Sequence, residues 1–201
     1  MTTVVTMSTR REAPVPTRGL KRVEYECLVE RGLLGPDDKI ELIDGLMMVR
    51  EPEGTPHTVA VQLTIAALQR AFGAGWNVRH PSPVALDDDS EPEPDVAVVP
   101  GHPRDYVAAH PARPVLIVEV SHARLDFDRG YKASLYARAA ITDYWIVNLV
   151  DRVVEVRRGP MTSDAAPFGW TYERLTVYAP GETITPLAAP FASVSVADLL
   201  P

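Results

Sequence analysis

The sequence predicts a mixed α/β domain on three observations. Val115-Leu116-Ile117-Val118, continued by Glu119 and Val120, is an almost unbroken apolar run of strand length, the pattern of a strand covered on both faces. Tyr131, Leu135, Tyr136 and Ala139 then recur at three- and four-residue spacings, which reads as a helix over about 125–139. Asp143-Tyr144-Trp145-Ile146-Val147-Asn148 returns to strand character, and 152–157 alternates apolar with charged residues, so a hairpin through 149–151 is expected.

The other elements follow in order. Residues 20–31 carry Val23, Cys27 and Leu28 among Arg and Glu, a short amphipathic helix ended by Gly32. Residues 39–49 read as two strands joined at Asp44-Gly45, a dipeptide that favours a tight hairpin turn. Thr55-Pro56-His57 opens a helix to about Phe72, with Pro in its first turn and Gly73 just past its end. A strand is expected over 76–86, interrupted by Pro81 and Pro83. Residues 87–93 are rich in carboxylates but lack the spaced ligands and central glycine of a calcium loop, so they read as a solvated loop. Pro94-Asp95-Val96-Ala97-Val98-Val99 is a short buried strand with Asp95 at its head, where proline is tolerated. Residues 170–178 and 191–196 are expected as peripheral strands.

With 201 residues the chain can bury one sizeable core. Residues 1–18, polar and rich in Thr and Pro without an apolar segment, read as a disordered tail rather than a secretory signal, and 19–201 as a single domain. No apolar run approaches the roughly 20 residues of a membrane span. One cysteine, Cys27, permits neither an internal disulfide nor a cysteine-based zinc site, so the cytoplasm is the expected compartment. The net charge of −7 argues against an extended, non-specific grip on nucleic acid, but it leaves room for carboxylates neutralised by a divalent metal.

Glu119 is the residue that asks for an explanation. A carboxylate buried in a strand needs a cation, a metal or a donor beside it. It shares one face of its strand with Ser121, while Val118 and Val120 point the other way. Lys132 lies on the following helix near the apolar stripe, so Glu119 and Lys132 are expected to meet. Asp95 adds a second carboxylate at a strand position. Hard divalent ions such as magnesium take one or two carboxylates, with water and substrate phosphate completing the shell. A nearby lysine can orient or activate the attacking water. These residue types suit metal-assisted phosphodiester hydrolysis.

Glu41-Leu42-Ile43-Asp44-Gly45, His57, Pro94-Asp95-Val96, Glu119-Val120-Ser121, Asp128-Arg129-Gly130 with Lys132, Tyr136 and Tyr144-Trp145-Ile146-Val147 together resemble the Uma-type restriction endonuclease family of the PD-(D/E)xK nuclease superfamily. The resemblance runs from about residue 20 to the C-terminus. It implies a restriction-endonuclease-like fold, a mixed central sheet flanked by helices with peripheral β-hairpins. It also implies Asp95 and Glu119 as metal ligands, with Glu41 as the acidic residue of the N-terminal region. The superfamily's usual third-motif lysine falls where Ser121 stands, and Lys132 replaces it from the following helix. His122-Ala123-Arg124 departs from the small polar residues common in relatives, and Asn148 from a common Asp.

Each residue also has a structural alternative. Asp128 and Lys132 could form a surface i, i+4 pair worth roughly 0.3–0.5 kcal/mol. Asp95 could cap a turn, Glu41 could be an exposed strand residue, and His57 an ordinary helix residue. Tyr136 and Trp145 are expected in the core. The reading is a nuclease that uses Mg2+, or Mn2+, on DNA, with catalytic candidates Asp95, Glu119, Lys132, Glu41 and His57. The alternative is a catalytically silent scaffold that binds a protein or nucleic acid partner. A homodimer is expected only because cutting two strands needs two sites.

Overall fold

The apolar run around Glu119 lies inside a six-stranded sheet. The structure, a computed structural model, describes residues 18–50 and 53–201, so the tail expected over 1–18 falls, but for Arg18, outside the described residues. In chain order the elements are α1 (Arg22–Glu30), β1 (Ile40–Ile43), β2 (Leu46–Val49), α2 (Thr55–Phe72), β3 (Trp76–Arg79), β4 (Val96–Pro100), β5 (Leu116–Ser121), α3 (Leu125–Phe127), α4 (Ala133–Arg138), β6 (Asp143–Asn148), β7 (Val153–Thr162), β8 (Trp170–Tyr178), β9 (Thr183–Ile184) and β10 (Val194–Ser195). The sheet order is β3-β4-β5-β6-β7-β8. Only β5 and β6 run parallel, and α3 and α4 supply the crossover a parallel pair requires. The β1–β2 and β9–β10 pairs are separate two-stranded sheets.

Alternation along β5 sorts its side chains between two apolar layers. Val118 and Val120, with Trp145 and Val147 of β6, pack against Ala60, Leu68 and Phe72 of α2 and against Val196 and Leu199. Ile117, with Tyr144 and Ile146, packs beneath Leu135, Tyr136 and Ala137 of α4 and beside Ile43 of β1. Glu119 and Ser121 therefore face the α4 layer, as the period of two requires. Trp145 and Tyr136 are fully buried, in keeping with their expected core roles.

Four expectations are corrected. The strand over 76–86 stops at Arg79, because Pro81 and Pro83 cannot donate to a ladder; beyond them Val84 and Ala85 donate instead to the Pro92 and Pro111 carbonyls. The helix over 125–139 is not uniform: Asp128–Lys132 form a π turn in which the Ala133 N–H reaches back to the Asp128 carbonyl. The strand over 191–196 contracts to Val194–Ser195.

The acidic segment 87–93 is not a solvated loop. Ser90 and Glu91 are buried, and Glu91 exchanges both backbone hydrogen bonds with Leu42 of β1. The Asp88 carbonyl accepts from Arg22 N–H and the Asp89 carbonyl from Gly45 N–H, so the segment ties the hairpin to α1. Its carboxylates pair with cations, Asp87 with Arg138, Asp89 with Lys21 and Glu93 with Arg50. Among the described residues no helix is long and apolar enough to cross a membrane.

The hairpin turn is tightly fitted. Gly45 has φ +74°, and a Cβ there would fall 2.9 Å from the Gly19 Cα. Gly45→Ala is expected to destabilise the fold by about 1–3 kcal/mol, combining left-handed strain with a backbone clash. Urea unfolding with an unchanged m-value measures this, and an unchanged midpoint would show that the hairpin is not clamped against Gly19.

Candidate active site

The ladder between β4 and β5 pairs Val96 with Val118, which carries Asp95 across from Glu119 at the end of β4. The Val120 N–H donates to Asp95 Oδ2 at 2.7 Å, and the Asp95 N–H donates to Glu119 Oε2 at 3.3 Å. Each carboxylate is thus held by a backbone N–H of the other segment, Val120 for Asp95 and Asp95 for Glu119. The β1–β2 hairpin, lying over the same layer, brings in Glu41, whose Oε2 accepts from the Glu93 N–H at 3.0 Å.

Lys132 comes from the π turn. Its Nζ donates to Glu41 Oε2 at 3.0 Å and to Glu119 Oε1 at 3.1 Å, and the three side chains are only 3–6% exposed. The surface pair of Lys132 with Asp128 and the exposed strand position for Glu41 are both excluded by this burial. The turn is held from two sides. Tyr144 donates its hydroxyl to the Asp128 carbonyl at 3.1 Å, and Arg129 grips buried Glu155 through both Nε and Nη2. Tyr136, four residues after Lys132, donates its hydroxyl to Glu119 Oε1 at 2.6 Å.

His57 enters from the first turn of α2, where a Pro-started helix aims it at the end of β4. Its Nε2 stands 3.2 Å from Asp95 Oδ1 and 3.4 Å from Glu53 Oε2, buried and without an aligned hydrogen bond. Ligand atoms of Glu53, His57 and Asp95 all lie within 4.8 Å of one another, the geometry of a cation site. All five residues nominated from the sequence line one cavity of about 150 Å³, joined by Glu53, Asp128 and Ser121. It has room for an ion with its waters.

Electrostatics follow from burial. Burial pushes the Glu119 carboxyl up to about 8, Lys132 opposing while Asp95 and Asp128 add to the rise. Asp128 is pushed up to about 6, again chiefly by burial against the pull of Lys132. Burial works against the Lys132 ammonium, but Glu119, Glu41 and Asp128 outweigh it and hold the lysine well above its ordinary value. For His57, burial likewise lowers, and Asp95, Glu53 and Glu119 reverse the sign, so the imidazole is raised.

Sequence reasoning missed Glu53 and the hydroxyl of Tyr136. Tyr136 carried a signal, following Lys132 by four residues, a spacing that shares a helix face, whereas Glu53 lies ahead of α2, outside its pattern. Ser121 lines the cavity with its hydroxyl unpaired among the described residues, and the lysine reaches the site from the π turn.

The carboxylate-rich cavity lies where β4 begins and β5 ends, and the mixed sheet that frames it is a nuclease-like fold by its likeness to a solved structure. A solved structure of a "putative nuclease belonging to DUF820" from Anabaena variabilis superposes with a TM-score of 0.65 at 14% identity, covering 86% of this chain and 96% of that one. No curated protein matches the chain. The family model described as "Putative restriction endonuclease" matches residues 22–197, and the chain belongs to this family, Uma2.

The folded protein holds more protons than the unfolded chain across the interval in which Glu119, Glu91 and Asp128 titrate. Burial first of all, aided by Glu26, pushes Glu91 up to about 7. Each folded pKa lies above its unfolded value, so their contribution is fully present below about pH 4 and is lost as pH rises through 6 to 8. His110, lowered mainly by burial, pulls weakly the other way. Metal-free protein should therefore melt lower at about pH 8 than at about pH 5, with a smaller difference in Glu119→Gln. A melting temperature that climbs over this interval contradicts the charge arrangement.

Proposed function

We propose that the protein is a divalent-metal-dependent nuclease that hydrolyses phosphodiester bonds in DNA. The observation that supports this most is a buried lysine shared by two buried carboxylates, on the floor of the same cavity that holds a Glu-His-Asp cluster. Membership of a family described as restriction endonucleases supports the reaction class.

The donor set fits a divalent cation. Asp95 and His57 offer buried ligand atoms at the end of β4, Glu53 completes the cluster, and Glu119 stands alongside. A nitrogen donor among carboxylates suits manganese at least as well as magnesium. When bound, the ion supplies a more acidic water and stabilises charge on the phosphoryl oxygens. His57 must give up its proton to act as a ligand, so affinity rises with pH through its raised pKa. Lysine has three donors, and Lys132 commits two of them to Glu41 and Glu119. The third is directed to the attacking water or the phosphate, where a fixed charge stabilises the transition state. Tyr136 and Lys132 together hold Glu119 Oε1 in place and leave Oε2 facing Asp95.

Purified protein should cut plasmid DNA in millimolar manganese, and Asp95→Ala should abolish cutting. Lys132→Met, which keeps the apolar stem, should bind metal as the parent does and cut about 10²–10³-fold more slowly. Parent and Lys132→Met cutting at equal rates would remove Lys132 from the reaction. A parent that never cuts, with or without metal, returns the silent scaffold.

Metal binding has its own readout. At a hundredfold excess over the dissociation constant, manganese should stabilise the fold by about 2.7 kcal/mol, read as a raised melting temperature. His57→Gln should lose most of that shift. The same shift in parent and variant would place the ion away from His57.

A further inference from the structure

We propose that Arg124 is the docking point for a backbone phosphate of the DNA substrate at the rim of the cavity, an inference that rests on the nuclease reading. His122-Ala123-Arg124 connects β5 to α3, and Arg124 stands directly before that helix. Its guanidinium is held on two sides: Cζ lies 4.4 Å over the Phe127 ring, and Nη1 reaches the Val49 carbonyl at 3.4 Å. Phe127 and Arg124 both line the cavity.

Of the two arginines that line the cavity, Arg124 is the one without a carboxylate partner among the described residues. Arg50, the other arginine at the cavity, is tied to Glu93 at 3.1 Å. Arg129, Arg138 and Arg158 are likewise paired with Glu155, Asp44 and Asp143. Arg124 makes no ion pair among the described residues, although Asp128 and Glu119 line the same cavity. A planar guanidinium stacked on an aromatic face, with Nη1 on the Val49 carbonyl, leaves Nε and Nη2 unengaged among the described residues, and that edge matches two phosphate oxygens.

The protein's charge makes such a point necessary. A chain of net charge −7, with a carboxylate-rich cavity floor, repels a polyanion over most of its surface. A fixed cation where the cavity opens lets one phosphate approach while its neighbour reaches Lys132 and Asp95. The stack on Phe127 orders the side chain before substrate arrives, so little side-chain entropy remains to be lost on binding.

The experiment measures the affinity of a fluorescent mixed-sequence DNA duplex between about 50 and 200 mM salt without divalent metal, so the duplex stays intact. Plasmid cleavage in manganese is run in parallel. Arg124→Ala should weaken binding and reduce the magnitude of the log-log salt slope by about 0.9, one phosphate contact. Arg124→Lys should keep most of the slope while losing affinity, and Arg174→Ala, on exposed β8, should leave both unchanged. If Arg124→Ala melts well below the parent, Arg124→Gln carries the same comparison. A parent that cuts DNA while Arg124→Ala and Arg124→Gln keep its salt slope overturns the docking role alone. A parent that neither binds nor cuts DNA overturns the nuclease reading, and this inference with it.

Discussion

Three ionisable side chains that water scarcely reaches, Glu41, Lys132 and Glu119, constrain the rest of the structure. Each ion costs several kcal/mol to bury, and the cost is offset only when all three are present with their remaining lone pairs satisfied. The chain must therefore bring Glu41 from the N-terminal hairpin to a lysine 91 residues away. The other contacts around the site serve that meeting. Residues 87–93 tie the hairpin to α1, Tyr136 caps Glu119, and Tyr144 and Arg129 fix the turn that aims the lysine.

The arrangement joins two halves. One is the lysine between its carboxylates; the other is the Glu53–His57–Asp95 cluster on α2 and β4. They meet through the backbone, since Asp95 accepts from the Val120 N–H and donates its own N–H to Glu119. A shift of β4 against β5 would disturb both halves together. The parallel β5–β6 pair and the covering helices make such a shift costly, because both faces of β5 are packed.

Much of this was legible in the sequence where one side-chain pattern determines one outcome. The apolar run with Glu119 inside it called for a cation, a metal or a donor, and Lys132 and the Tyr136 hydroxyl both meet that carboxylate. Asp44-Gly45 specified the hairpin, and Thr55-Pro56 with Gly73 bounded α2. The π turn was not legible, because Tyr131, Leu135 and Tyr136 suit a plain helix and a widened one equally. Segment 87–93 misled for a related reason: its carboxylates suggest solvent, whereas its structure is set by backbone groups that carry no composition signal. Glu53 escaped notice because it precedes the helix whose face it joins.

We infer that Glu41, Lys132 and Glu119 are buried together for chemistry and not for stability. The unfolding free energy of the triple variant Glu41→Gln, Lys132→Met, Glu119→Gln in urea at about pH 7 tests it most directly. Neutral side chains of similar volume lower the desolvation cost, and the amide oxygen at 119 can accept from Tyr136 or from the Asp95 N–H but not from both. The variant should be about as stable as the parent. A loss of about 3–5 kcal/mol, the scale of breaking a buried pair, would show instead that the fold depends on the charges themselves.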